Sequence, residues 1–406
     1  MLNAILKGTK RPYFFLIFLF LAASLTGEYD PPAIYLTWQH SPQTTMTVQW
    51  ITNNDRHEDL VEYQRVGENE WKRVMGFHRP MPEKYPFLIH HAEIIGLLPD
   101  TDYRFRTSPD ALSYKFRTMP EKLTKPIRFV VGGDIYHDGI EILEKMNRQV
   151  AHLNPMFVIA GGDLAYNDTS SSTMPKVMPR WMDLLISWKK QLVTPEGRLI
   201  PILPVIGNHD VKGKFGKTPA EAPFFYSLFA MPGIQGYNVL DFGDYMSIVL
   251  LDSGHTHPIP GLQAKWLQSA LEQRQSIPHK FAVYHVAAFP SVRDFDGKCK
   301  PEIRKSWVPL FEQYGVSAVF EHHDHAYKRT HPLLNGKVNP KGVLYIGDGA
   351  WGVEEPRKPK SPSKVWYLAR TISSRNVVLV TIHDNIHHFF AFDEKGNIID
   401  EFINKK

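Results

Sequence analysis

Cysteine is almost absent from the sequence: Cys299 is the only one among 406 residues. A disulfide within the chain is therefore impossible, and a metal site built on paired thiolates is excluded as well. Any metal ion must be held by oxygen donors and imidazoles, for which the chain supplies 42 Asp and Glu residues and 19 His residues. Without disulfides, the fold must be stabilised by hydrophobic cores of substantial size.

A strong charge of one sign is also missing. The chain has 47 Lys and Arg residues against 42 Asp and Glu residues, which gives a formal net charge of +5. Three of the basic residues, Lys7, Lys10 and Arg11, lie in an N-terminal segment that we expect to be removed, which leaves about +2. So small an excess argues against nucleic acid or a membrane surface as the partner.

The N-terminal apolar run is too short for an ordinary membrane span. It extends from Tyr13 to Leu25, 13 residues, whereas a span needs ~20. The run follows the basic residues and precedes the small residues Thr26 and Gly27, which is the layout of a secretory signal peptide over residues 1–27. We expect a secreted or periplasmic protein with no stable membrane association after cleavage. The alternative is an uncleaved signal anchor that tethers the protein to a membrane.

Residues 28–118 have the pattern of an all-β sandwich. Met46, Val48 and Trp50 alternate with polar residues, which is typical of a half-buried strand, and turn-forming clusters separate further short strands. The segment from Leu98 to Tyr103 resembles the tyrosine corner of fibronectin type III and immunoglobulin-like sandwiches. The sequence therefore predicts a fibronectin III-like domain over 28–118, followed by a linker rich in Pro and charge over 119–126.

Residues 127–406 have the pattern of an α/β domain. Helical stretches, such as those at 140–153 and 261–275, alternate with nearly continuous apolar runs, which are typical of strands buried on both faces. Those runs are 127–131, 156–160, 202–206, 246–251, 281–284 and 316–320. The C-terminus returns to strands at 377–382, 387–392 and 398–402.

Residues with metal-ligand chemistry directly follow five of the apolar runs. They are Asp134; Asp163 with Tyr166; Asn208, His209 and Asp210; His285; and Glu321 to His325. Because ligands bind at the carboxyl ends of the strands in open α/β sheets, these side chains are predicted to meet at one rim. Hard oxygens and imidazoles suit Fe, Mn, Zn or Mg, and the surplus of donors indicates a dinuclear centre that clamps a phosphoryl group.

The ordered series of motifs resembles the calcineurin-like metallophosphoesterases, and with Tyr166 and the N-terminal sandwich it resembles a purple acid phosphatase. The resemblance covers roughly residues 30–406 and implies a β-rich sandwich flanked by helices. It implies that Asp134, Asp163, Tyr166 and His325 hold the first metal, Fe(III) bound by tyrosinate. Asp163, Asn208, His285 and His323 would hold the second, Fe, Zn or Mn, with Asp163 bridging. It also implies that the sandwich shapes one wall of the cleft or mediates a homodimer.

The chain departs from the family pattern at three places. Tyr136 and His322 stand where the family motifs have Gly, and residues 286–298 contain no histidine to act as proton donor. We expect His209 to bind the phosphoryl group and protonate the leaving group, with Asp210 holding its tautomer. His137 is the second candidate for the acid. Asn208 and Arg293 are further candidates for substrate binding.

The resulting hypothesis is an acid phosphatase that hydrolyses phosphate monoesters by attack of a metal-bound hydroxide. A phosphodiesterase or nucleotidase on the same fold is the alternative, and a non-catalytic binding protein is a third reading. The sequence leaves open the natural substrate, the second metal, the pH optimum, the oligomeric state, the role of the sandwich and the effect of Tyr136 and His322.

Overall fold

A computed structural model describes residues 29–53, 58–166, 177–347 and 349–405. The predicted signal peptide, residues 1–27, lies outside the described residues. Within the described ranges, no helix is both long enough and apolar enough to cross a membrane.

The N-terminal domain consists of two antiparallel sheets. One has the strand order β1-β2-β6-β5 and the other β4-β3-β7-β8. The strands are β1 (Ala33–Thr37), β2 (Met46–Asn53), β3 (Leu60–Arg65), β4 (Lys72–Met75), β5 (Phe77–Pro80), β6 (Phe87–Ile94), β7 (Asp102–Arg106) and β8 (Tyr114–Arg117). The backbone N–H of Leu98 donates a hydrogen bond of 2.9 Å to the Tyr103 hydroxyl, which confirms the predicted tyrosine corner.

The prediction that β2 is half-buried is wrong, because both of its faces are covered. Thr47 and Gln49, on the face expected to meet water, are fully buried. The side chain of Gln49 donates to Leu228 O and accepts a hydrogen bond of 3.2 Å from Ala230 N. The second domain therefore packs on this sheet, and the Gln49 side chain satisfies two backbone groups of that domain.

The second domain alternates strands and helices and ends in antiparallel strands. Its strands are β9 (Ile127–Gly132), β10 (Phe157–Gly161), β11 (Ile202–Val205), β12 (Asn238–Phe242), β13 (Met246–Leu250), β14 (His279–Val286), β15 (Ala318–His322), β16 (Tyr327–Thr330), β17 (Leu333–Leu334), β18 (Lys337–Val338), β19 (Leu344–Gly347), β20 (Leu368–Ile372), β21 (Val377–His383), β22 (Ile386–Phe392) and β23 (Ile398–Lys405). Its helices are α1 (Ile140–His152), α2 (Val177–Gln191), α3 (Pro223–Leu228), α4 (Leu262–Glu272), α5 (Lys300–Ser306) and α6 (Val308–Gln313).

Two mixed sheets form the centre of this domain. Their strand orders are β11-β10-β9-β21-β22-β23 and β12-β13-β14-β15-β19-β16-β20. The sheets pack through aromatic rings: Phe129 of β9 meets Phe281 of β14 at 5.6 Å and Phe320 of β15 at 6.4 Å. Strands β9, β10 and β11 run parallel in one sheet, and β13, β14, β15 and β19 run parallel in the other. The loops that follow these strands build the site described below.

Aromatic packing joins the two domains. Trp38, which follows β1, is fully buried and contacts Phe157 and Phe242 edge-on, at 5.9 and 6.1 Å. The Tyr35 hydroxyl donates a hydrogen bond of 2.5 Å to Leu228 O at the end of α3. The sandwich is therefore an integral support for the sheet that carries the site.

Candidate metal centre

The seven predicted ligands all lie at the carboxyl ends of parallel strands. Five of them have a left-handed backbone: Asp134, Asp163, Tyr166, His323 and His325, with φ of 55°, 53°, 49°, 76° and 59°. Non-glycine residues adopt this conformation at a cost, and such strain concentrates at functional sites. The left-handed turns allow side chains from separate loops to point into one space.

One cluster is formed by Asp134, Tyr166 and His325. The Tyr166 hydroxyl donates to Asp134 Oδ1 at 2.6 Å, and His325 Nε2 lies 2.8 Å from the same oxygen and 3.1 Å from the hydroxyl. Burial opposes ionisation of Asp134, but His325 and His285 outweigh it and hold the pKa of Asp134 well below its usual range. Burial and the Asp134 charge raise the pKa of Tyr166. In the absence of a cation, Tyr166 is therefore a neutral donor to Asp134.

A second cluster is formed by Asp163, His285 and His323. His285 Nε2 lies 3.0 Å from Asp163 Oδ2 and 3.3 Å from His323 Nδ1. His285 Nδ1 donates to Gly161 O at 3.0 Å, which turns Nε2 toward the carboxylate. Burial alone would lower the pKa of His285, but the charges of Asp163 and Asp134 raise it to about 9. A backbone acceptor on the far nitrogen is the arrangement that orients metal-binding histidines.

The donor set fits two cations. Asn208 Oδ1 is a buried oxygen that accepts no hydrogen bond from the described residues, and such an atom is costly without a partner. Among the described residues, Asp163 Oδ2 contacts His285 Nε2. Carboxylate, phenol, amide and imidazole groups suit divalent and trivalent iron, zinc and manganese. Glycine is required at position 349, where φ is 63° and a Cβ atom would lie 1.7 Å from Asp134 Oδ2. The backbone thus closes tightly around this carboxylate.

The carboxylate of Asp210 hydrogen-bonds to backbone groups of two loops. Its two carboxylate oxygens accept hydrogen bonds of 2.9 Å from Leu164 N and Gly207 N, and the side chain is buried. Burial, together with the nearby charge of Asp163, raises the pKa of Asp210 to about 7. These two contacts join the loop after β10 to the loop after β11, and the predicted role of Asp210 in holding the His209 tautomer stays a prediction.

Both candidate proton donors lie beside Tyr166. The ring of His209 stacks on the Tyr166 ring at 4.6 Å, and its backbone N–H donates to Asp163 Oδ1 at 2.6 Å. The ring of His137 meets Tyr166 edge-on at 4.6 Å and His325 at 5.0 Å, and its Nδ1 contacts Asp138. His209 is thus tied through its backbone to the carboxylate that the two clusters would share.

Two arginines lie beside the centre. Arg293 Nη2 donates to His323 O at 3.3 Å, and its Nε lies 3.4 Å from Asp324 Oδ1. Arg357, which sequence analysis missed, donates its backbone N–H to His325 O at 2.8 Å. Burial and then the neighbouring charge of Arg293 lower the pKa of Arg357. No motif surrounds Arg357 in the sequence, so only the three-dimensional structure reveals it.

The two residues that replace glycine have separate surroundings. Tyr136 turns toward α2, where its ring packs against the Arg180 guanidinium at 4.0 Å. His322 is buried behind the second cluster and fills the space above Gly161, where a Cβ atom would lie 1.9 Å from His322 Nε2. Neither ring nitrogen of His322 has a hydrogen-bond partner among the described residues. His322 therefore packs as a neutral ring, and burial lowers its pKa to about 3.

Family models match both domains. The model described as "Purple acid Phosphatase, N-terminal domain" matches residues 31–118, and that described as "Calcineurin-like phosphoesterase" matches residues 127–327. The chain belongs to the purple acid phosphatase family. This membership confirms the predicted architecture, a β-sandwich followed by a metallophosphoesterase domain, and the prediction of a phosphoric monoester hydrolase. The family uses a dinuclear metal centre and acts on phosphate esters.

Individual relatives and solved structures agree with this assignment. Purple acid phosphatase 18 of Arabidopsis thaliana is 28% identical over 349 residues, which cover 81% of this chain and 74% of the relative. The uncharacterized protein Rv2577 of Mycobacterium tuberculosis is 26% identical, covering 75% of this chain and 63% of its own length. The purple acid phosphatase PPD1 of yellow lupin superposes with a TM-score of 0.73 at 17% identity, over 92% of this chain and 74% of that one. PhoD superposes with a TM-score of 0.65 at 10% identity, over 93% and 94%. Both superpositions show a shared fold.

Proposed function

We propose that the protein hydrolyses phosphate monoesters at a dinuclear centre held by the seven residues predicted from the sequence. Asp134, Tyr166 and His325 would hold the first ion and His285, His323 and Asn208 the second, with Asp163 shared. The observation that carries this proposal is the convergence of two buried carboxylate–imidazole clusters with a buried amide oxygen, Asn208 Oδ1, that accepts no hydrogen bond from the described residues.

The chemistry of each cluster supports a different ion. Tyr166 gives the first cluster a phenol, and a tyrosinate ligand favours Fe(III) there. The second cluster offers two imidazoles, a carboxylate and an amide, which suit Fe, Zn or Mn in the divalent state. Two bound cations would neutralise charge on the phosphoryl group and activate a water molecule for in-line attack.

The surrounding residues would bind and orient the ester. The guanidinium of Arg293, which is 36% exposed, and the partly buried Arg357 lie on the side of His323 and His325. A pair of guanidinium groups provides the forked donors that recognise phosphate oxygens. Asn208 and His209 would contact the phosphoryl group from the opposite loop. The arginines would thereby fix the orientation of the ester relative to the centre.

His209 would protonate the leaving group. The His209 side chain is partly exposed. The hydrogen bond from its backbone N–H to Asp163 Oδ1 fixes the position of this residue beside the centre. Stacking on Tyr166 limits the rotation of the ring. A positioned acid of this kind contributes about 10²–10⁴-fold to the rate. His137, on the other side of Tyr166, is the second candidate for this role.

The test is the substitution Asp163→Asn with p-nitrophenyl phosphate as substrate. We expect kcat to fall more than about 100-fold, because even groups that only hydrogen-bond to metal ligands cost 10–100-fold. The matched control is Asp384→Asn: Asp384 also has a left-handed backbone, with φ of 49°, but its side chain is 76% exposed on a surface turn. Normal turnover and metal content in Asp163→Asn would contradict the proposal. Comparing rates on a monoester and a bis-ester distinguishes a phosphodiesterase.

A further inference from the structure

Another group of side chains with metal-ligand chemistry lies in the N-terminal sandwich. Its sequence positions, 59–90, precede all seven proposed ligands of the metal centre. Asp59, His78 and His90 each direct a ligand atom to one point, and these atoms lie within 4.8 Å of one another. Asp59 Oδ2 is 2.8 Å from His78 Nδ1, and Asp59 Oδ1 is 2.7 Å from His90 Nδ1. Among the described residues, one other trio of acidic and His side chains has its ligand atoms this close together: Asp163, His285 and His323.

The three residues come from both sheets of the sandwich. His78 and His90 face each other across the β5–β6 pair, where they are directly opposite in the register. Asp59 directly precedes β3 of the other sheet, and its carbonyl oxygen accepts a hydrogen bond of 2.7 Å from Gly76 N. An ion bound by all three side chains would therefore connect the edge of one sheet to the other sheet.

Both ring nitrogens of His90 face polar partners. Nε2 lies 2.8 Å from the Thr52 hydroxyl oxygen, and Nδ1 lies 2.7 Å from Asp59 Oδ1. A doubly protonated ring would make an ordinary ion pair with Asp59. A neutral ring with its hydrogen on Nε2 would instead present the Nδ1 lone pair on the side of the carboxylate, which is the form that binds a metal ion.

We propose that Asp59, His78 and His90 bind a divalent transition-metal ion of the zinc class. Two imidazoles and a carboxylate are ordinary zinc ligands, and a water molecule would complete a tetrahedral shell. The outer hydrogen bond from His90 Nε2 to Thr52 fixes the ring as it is fixed in metal sites. Trp50 stacks on the His90 ring at 4.8 Å and holds it in the same plane.

The interatomic distances match those of the catalytic centre. The carboxylate–imidazole distances are 2.7 and 2.8 Å in the sandwich, and 2.8 and 3.0 Å at Asp134–His325 and Asp163–His285. Ligand atoms around a tetrahedral zinc ion lie roughly 3.3 Å apart. An increase of about 0.5 Å in the distances between the Asp59 oxygens and the imidazole nitrogens would therefore make room for the ion.

An ordinary imidazole–carboxylate pair in the same domain provides the contrast. His40 Nδ1 lies 2.8 Å from Glu93 Oε1, but the His40 side chain is 71% exposed. In the trio, by comparison, the side chain of His90 is fully buried and those of Asp59 and His78 are 17% and 30% exposed. His40→Gln is therefore the matched control for removal of a histidine from the sandwich.

The bound ion would act as a structural link. The chain has no disulfide available to join the sheets, and small domains often gain stability from a metal instead. Strand β5 lies at the edge of its sheet and has a single partner, β6, so a link to Asp59 would hold it in place. We expect the ion to raise the thermal stability of the protein without altering phosphatase turnover.

The experiment measures zinc in the full-length protein by elemental analysis and by titration, for the wild type and for His78→Gln, Asp59→Asn and His40→Gln. We expect His78→Gln and Asp59→Asn to contain one metal ion fewer per chain and to weaken zinc binding at this site more than about 100-fold. Their kcat on p-nitrophenyl phosphate should equal that of the wild type. His40→Gln should match the wild type in both measurements.

Two results would overturn the proposal. One is metal content and zinc titration in His78→Gln and Asp59→Asn equal to those of His40→Gln and the wild type. This result would mean that the trio is held only by hydrogen bonds and binds no metal ion. The other is a loss of metal accompanied by loss of turnover, which would assign the missing ion to the catalytic centre. His78 lies on an edge strand and is partly exposed, so we expect His78→Gln to fold normally. Substitution of the buried His90 is a poorer test, because it could impair folding by itself.

Discussion

The metal centre of the second domain and the trio of Asp59, His78 and His90 in the sandwich use similar side chains on different kinds of backbone. In the second domain, five of the seven proposed ligands have positive φ and follow the ends of parallel strands. In the sandwich, His78 and His90 lie within a regular antiparallel pair, and none of the three residues has positive φ. Among these described residues, strained turns are therefore confined to the cluster that must receive a substrate.

This contrast shows how the same chemistry is adapted to different tasks. Loops that turn sharply bring many donors to one rim and leave positions open for water and a phosphate ester. Paired strands hold two imidazoles at a fixed spacing, which suits an ion that links strands and stabilises the fold. Substitutions in the seven-residue metal centre should therefore change catalysis, and substitutions in the sandwich trio should change stability.

The largest expected effect is that of His209→Asn. If His209 protonates the leaving group, kcat for an alkyl phosphate should fall about 10²–10⁴-fold. The fall should be smaller for p-nitrophenyl phosphate, because that leaving group needs little protonation. The measurement is kcat on both substrates for His209→Asn and His137→Asn. The reverse pattern, with the alkyl substrate affected only by His137→Asn, would transfer the role to His137.

Asp210→Asn should have an intermediate effect. The carboxylate accepts backbone N–H groups from two loops, Leu164 N and Gly207 N, whereas an amide has one oxygen to offer. The loops that carry Asp163 and Asn208 would then lose a common support. We expect kcat to fall about 10–100-fold, as for groups that orient metal ligands, with the zinc content of the sandwich unchanged. Full activity would show that the loops hold their places without this bridge.

Much of this arrangement could be predicted from the sequence. The strand ends could be located because each buried strand is a short apolar run followed at once by Asp, Asn or His. Such a pattern involves only residues that are neighbours in the sequence. Contacts between distant segments left no such signature. Gln49 is covered by the end of α3, 179 residues away. Arg357 is held by His325 O, and Asp59 meets His90 across 31 residues.

The smallest expected effect is that of Thr52→Val in the sandwich. Valine has nearly the same shape but cannot form the 2.8 Å hydrogen bond with His90 Nε2, and leaving a buried polar group unsatisfied costs about 1–3 kcal/mol. We expect zinc affinity of the sandwich site to weaken about 10-fold and kcat to stay at the wild-type value. Zinc titration measures the first and p-nitrophenyl phosphate turnover the second. A change in turnover would show that the two clusters are not independent.

We propose that two separate sites of this protein bind metal, one for catalysis and one for structure. Elemental analysis of the wild type, Asp163→Asn and His78→Gln, all purified without chelator, tests it most directly. We predict three metal ions per chain in the wild type, with iron among them. Asp163→Asn should lose metal from the catalytic centre together with turnover, and His78→Gln should lose one ion while turnover persists. Identical metal content in all three proteins would contradict the claim.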